Sequence, residues 1–68
     1  MEINKEMSDD ELFKIAKAKN QSYSDEEALR ALIILTKREK PNLELISTLK
    51  QLSHSEDVRE RAANFLFG

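Results

Sequence analysis

Residues 24–35 read SDEEALRALIIL. Ser24 followed by Glu27 is a capping box: the serine oxygen takes a backbone N–H at the helix start, and the glutamate carboxylate takes the serine's own N–H. Asp25, Glu26 and Glu27 place negative charge where the helix dipole is positive. Beyond them Ala31–Leu35 is apolar nearly all round, which marks a helix covered on more than one side. Tyr23, just before the cap, is placed to staple against Ala28 or Leu29. Pro41 disfavours helical backbone at Lys40, so the helix is expected to run to about Arg38.

The same grammar repeats on either side. Ser8 and Glu11 form a capping box, and Leu12, Ile15 and Ala16 follow at i, i+3, i+4 with Phe13 beside them. This predicts a first helix over roughly 9–19, ending near Asn20, a residue that tolerates the left-handed conformation of a helix end. Downstream, Asn42 is a cap for a third helix whose stripe is Leu45, Ile46, Leu49 and Leu52. A fourth begins at Ser53 or Ser55, with Ser53 and Glu56 offering another capping box. Its apolar face is Val58, Ala62, Phe65 and Leu66, at i, i+4, i+7, i+8. One interior proline and a single glycine at the last position leave these helices unbroken. No period-2 alternation or Asn-Gly turn suggests strands.

Sixty-eight residues, 40% apolar and 35% charged, make one all-helical domain over 1–68, with residues 1–7 expected to be flexible. A chain of this size buries only about 60% of its unfolded surface, so its stability is marginal. There is no cysteine to staple it, which fits a cytoplasmic location. The opening MEINKEMSDDE has no apolar core of a signal peptide, and no apolar run is long enough for a membrane span. Net charge is −2 and spread along the chain, giving no general electrostatic reason for nucleic-acid binding.

The chain also matches itself at an offset of 31 residues: Leu12, Ile15 and Ala18 fall on Leu43, Ile46 and Leu49, and Ser24 on Ser55. Arg30-Ala31 falls on Arg61-Ala62 and Ile34-Leu35 on Phe65-Leu66. The acid–arginine pair Glu26/Arg30 recurs as Asp57/Arg61 at i, i+4.

EDVRERAANFL, residues 56–66, resembles the second helix of a HEAT-like repeat, through Asp57, Val58, Arg59, Ala62, Ala63 and Leu66. LELISTLKQLSHS, residues 43–55, resembles the first helix of that repeat. The short offset is nearer the HEAT-like repeats of phycobilisome lyases than the longer eukaryotic type. In the first half Glu27 and Ala28 stand where the family has Val-Arg. The resemblance implies two stacked helical hairpins, fewer than the roughly three repeats usually needed for a closed core. An open end is therefore expected at the C-terminus, with Phe65 and Leu66 packed inward on the second and third helices and Phe67 covered either by the domain's own second helix or by another chain.

Four short helices rarely enclose the water-shielded pocket that catalysis needs, so an enzyme is not expected. No cofactor or metal is expected either. His54, Glu56 and Asp57 stand at a helix start, where capping and the dipole account for them. The expected function is a non-catalytic protein–protein interaction module, using a groove beside the second and fourth helices or the open C-terminal end. Candidate contacts are Phe67, Tyr23 and Phe13, and a second copy of the chain is one candidate partner. The alternative is a small nucleic-acid-binding or transcription-modulating protein, contacting phosphates through Lys37, Arg38 and Lys40.

Overall fold

Every α-helix starts on the kind of cap its sequence announces. The computed structural model describes residues 2–68, with helices α1 (Asp9–Lys17), α2 (Asp25–Thr36), α3 (Leu43–Leu52) and α4 (Glu56–Phe67) and a 3-10 turn at Lys19–Gln21. Ser8 Oγ accepts from Glu11 N at 3.2 Å while Glu11 Oε1 accepts from Ser8 N at 3.1 Å. Ser24 and Glu27 reproduce the arrangement at 3.1 and 3.0 Å. Asn42 Oδ1 accepts from Leu45 N, and Ser55 Oγ from Val58 N.

The helices form two hairpins, α1 on α2 and α3 on α4. The hairpins meet through α2 against α4 and α1 against α3, second helix on second and first on first. The Cα envelope is 27 × 25 × 15 Å. Its short dimension fits two helix layers, since axes pack about 8–10 Å apart and each Cα cylinder has a radius of about 2.3 Å. Between the layers lie Leu12, Ile15 and Ala16 of α1, Ala28, Ala31, Leu32 and Leu35 of α2, Ile46 and Leu49 of α3, and Val58 and Ala62 of α4. Displaced by 31 residues, Asp25–Thr36 covers the bounds of α4, Glu56–Phe67. The first helices do not coincide in this way, and Leu12 is fully buried where its counterpart Leu43 is 56% exposed.

Helix α1 ends earlier than expected, at Lys17, with Ala18 rather than Asn20 as its left-handed cap (φ 54°). The cause is tertiary. A continuing helix would need the Ala16 and Lys17 carbonyls as acceptors, but they already accept from Ser53 Oγ at 2.8 Å and His54 N at 2.9 Å. Ser53 is thus the C-cap of α3, and the expected Ser53–Glu56 capping box is replaced by a cap at Ser55. Arg59 Nη1 donates to Ser53 O at 2.7 Å, closing the same turn. Helix α2 stops at Thr36, two residues before the expected end. Thr36 Oγ1 donates back to Ile33 O, and Arg38 reaches away to the N-terminal segment.

The N-terminal segment is expected to be loose over 1–7; Met1 lies outside the described residues, and within 2–7 the chain is packed. Ile3 is buried in the core and Met7 lies against it. An Asn4 turn shapes it: Glu6 N donates to Asn4 Oδ1 and Met7 N to Asn4 O. Arg38 ties it down, donating from Nη1 to Lys5 O (2.8 Å), from Nη2 to Met7 O (2.6 Å) and from Nε to Asp9 Oδ1 (3.1 Å).

Two apolar expectations also need correction. Leu52 is 54% exposed and Phe65 is 42% exposed. Leu52 ends α3, about 120° round the helix from Ile46, so it sits at the edge of the stripe. Phe65 is on the Val58/Ala62 side by rotation, but the fully buried residues of α4 stop at Ala62, and in the last turn it is Leu66, one residue on, that meets the core. Leu66 packs against the core as expected.

Candidate functional site

Three surfaces hold the side chains that composition and spacing single out. The first is the α3–α4 hairpin. All four large apolar side chains that stand exposed among the described residues, Leu43, Leu52, Phe65 and Phe67, belong to these two helices. Phe67 is 78% exposed, and Lys50 Nζ lies 5.5 Å from its ring centroid. Leu43 and Lys50 are seven residues apart, hence on nearly the same side of α3. Leu43, the Lys50 stem and Phe67 therefore share one flank, which also carries the exposed Ser47, four residues on from Leu43.

The second surface is an open hollow of about 690 Å³ lined by Ala18, Asn20, Tyr23, Asp25 and His54. It exists because α1 ends early: Ala18 and Asn20 both have positive φ, 54° and 62°, and swing the chain outward before α2. Its walls are polar, with a phenol, an amide, a carboxylate and an imidazole. Tyr23 lines the hollow and is half-buried against the core. Phe13, the third candidate aromatic, is also half-buried, with Lys17 Nζ 5.8 Å from its ring centroid. Neither Phe13 nor Phe67 lines the hollow with Tyr23, so the three aromatics form no common site there. His54, Glu56 and Asp57 are exposed, and no group of three or more His, Cys, Asp or Glu among the described residues is placed to hold a metal.

The third surface is the end of α2, where the basic cluster lies. Lys37 and Lys40 are exposed, but Arg38 is occupied by the N-terminal segment through all three of its nitrogens. Beside it runs a groove of about 490 Å³ lined by Lys5, Ile33, Ile34, Lys37, Arg38 and Glu39. Of the two acid–arginine pairs expected at i, i+4, Glu26–Arg30 forms at 3.8 Å and is exposed, worth little in water. Asp57–Arg61 is not among the ion pairs of the described residues.

Sequence reasoning missed three residues that shape these surfaces. Ser53 looked like a helix start, and its partners lie 37 residues away. Arg38 looked like one of a run of cations. Leu43 was overlooked because a first-turn leucine reads as the start of a stripe. Met7 carried a legible signal, since it precedes the Ser8 cap and stands at the staple position facing Leu12.

Fold and surfaces together define a small all-α protein of two stacked hairpins with an apolar flank on the second. No helix among the described residues is long and apolar enough to cross a membrane. Compared with protein-family models, with curated proteins and with solved structures, the chain finds no match.

Proposed function

We propose that the protein is a non-catalytic protein-binding module that docks its partner on the Leu43–Phe67 flank of the α3–α4 hairpin. One observation carries this reading: Phe67 and Leu43, both on the α3–α4 hairpin, stand 78% and 56% exposed. Fully burying a phenylalanine or leucine side chain is worth roughly 1.5–3 kcal/mol, so an uncovered pair is an incentive to associate. Aromatics recur among the residues that dominate interface energies. The HEAT-like resemblance of residues 43–67 agrees, because stacked helical hairpins present extended surfaces to partners.

A phosphate-binding role for the α2 end has less support. Three N–H groups of Arg38 are engaged within the chain, its charge is paired with Asp9, and the protein carries a net charge of −2, which disfavours a polyanion with many phosphates. The test is affinity capture from the source cell with wild-type protein and a Leu43→Ser/Phe67→Ser variant, with circular dichroism on both. A partner retained by the wild type and lost by a fully helical variant is the expected outcome. Equal capture by both would remove the flank from the interface.

A further inference from the structure

The groove at the end of α2 shares no residue with the Leu43–Phe67 flank and differs from it in chemistry. Its floor is Ile33 and Ile34, both half-buried, with Ile34 also packed on the core. Its rim holds Lys5, Lys37 and Arg38 against Glu39; with Asp9, the ion-pair partner of Arg38, counted, the local charge is +1 in a chain of −2, carried by the exposed Lys5 and Lys37. The wall that carries Lys5 is held in place by the Asn4 turn and by Arg38 donating to the Lys5 and Met7 carbonyls. The guanidinium has five N–H groups, of which three are used here. Two remain for an incoming acceptor, and the side chain is 24% exposed. The volume of about 490 Å³ falls within the roughly 300–1,000 Å³ usual for ligand sites.

We propose that this groove is a second docking site, and that its occupant is an acidic amphipathic segment of another protein. Apolar side chains of the segment rest on Ile33 and Ile34, and flanking carboxylates meet Lys5, Lys37 and the outward N–H groups of Arg38. Helical segments commonly lay an apolar face into such a groove, and carboxylates match the fork of an arginine. The cations come from two separate walls, the N-terminal segment and the α2 end. That spacing suits several carboxylates along a peptide better than the single head group of a fatty acid. The open trough also gives an acyl chain little enclosure.

The site is tested by fluorescence polarisation on the whole protein with labelled peptides of about a dozen residues. One panel carries a Leu/Phe pair at i, i+4 among Asp and Glu, a second has Lys for every acid, and a third has Ser for the apolar pair. Decanoate is titrated separately. The acidic apolar panel alone is expected to bind, more weakly as salt rises from about 50 to about 200 mM. Lys5→Glu and Lys37→Glu, at exposed positions, should each weaken binding at least about fivefold with unchanged helicity, whereas Phe67→Ser should leave it unchanged. No binding by the acidic panel up to about 1 mM, equal binding by the lysine panel, or indifference to both charge reversals would overturn the proposal. So would binding of decanoate without any peptide. Loss on Phe67→Ser alone would overturn it too, while leaving the flank reading intact.

Discussion

Ser53 Oγ donates a 2.8 Å hydrogen bond to Ala16 O, joining the turn between α3 and α4 to the end of α1. The same oxygen accepts from Ser55 N at 3.1 Å, and Ser53 is only 3% exposed. The hydroxyl therefore meets the end of α1 and sets up the cap of α4, while the Ser53 backbone N–H closes α3 on Leu49 O. The hydroxyl is also the polar joint between two hairpins that otherwise meet through apolar side chains.

Replacing Ser53 by Ala leaves a buried carbonyl and a buried N–H without this partner. The expected loss is about 1–3 kcal/mol, a large share of the roughly 5 kcal/mol available to a small domain. A urea melt measures it. An unchanged midpoint would mean that water replaces the hydroxyl and that the joint is not structural.

Arg38 should behave as a clamp for the N-terminal segment. Its ion pair with Asp9 is partly solvent-exposed, so most of the effect comes from the two carbonyl hydrogen bonds. Arg38→Met is expected to cost about 1–2 kcal/mol and to speed amide exchange at Glu6 and Met7 more than in α4. Arg38→Lys should not restore protection, because one ammonium cannot match three donors spread over a planar fork. Exchange rates equal to wild type in Arg38→Met would show that Ile3 and Met7 hold the segment by themselves.

What was legible in the sequence was local. Ser8, Ser24 and Asn42 announce helix starts through atoms within three residues, and the stripe of α1 follows from periodicity. Ser53 was illegible because its partners come from another hairpin, and Arg38 because nothing nearby distinguishes a clamp from a surface cation. Phe65 exposes the limit of periodicity. Rotation places it on the Val58/Ala62 side, but whether that side is covered depends on where the neighbouring helices end. Of the candidate surface only Phe67 was singled out in the sequence, and there helix periodicity left exposure and folding back on the core both open; the structure has it 78% exposed.

Leu32 and Leu49 are both fully buried, one in each hairpin. Truncation of either to Ala should cost roughly 2–5 kcal/mol and approach complete unfolding. If the two hairpins are one cooperative unit, chemical-denaturant transitions followed by different probes should shift together in both variants. A Leu49→Ala protein that keeps α1 and α2 folded would instead make the hairpins separable.

Phe67 poses the opposite case. Its ring is 78% exposed, and the contact it makes is with Lys50 Nζ at 5.5 Å. Exposed cation–π pairs are worth about 0.5–1 kcal/mol, so Phe67→Ala should lower the melting temperature by less than about 8 °C, given roughly 4–8 °C per kcal/mol at this size. If the flank docks a partner or a second copy, the same change should weaken association far more. Loss of an interface hot spot of about 2 kcal/mol or above is roughly a thirtyfold change in affinity. Lys50→Met should keep the flank apolar and leave association intact, since the aliphatic stem supplies the contact and the ammonium must move aside. Sedimentation velocity reads self-association, partner titration reads docking, and circular dichroism reads the fold. A strictly monomeric protein whose partner affinity is untouched by Phe67→Ala, but whose melting temperature collapses, would make this ring a structural residue and move the interface elsewhere.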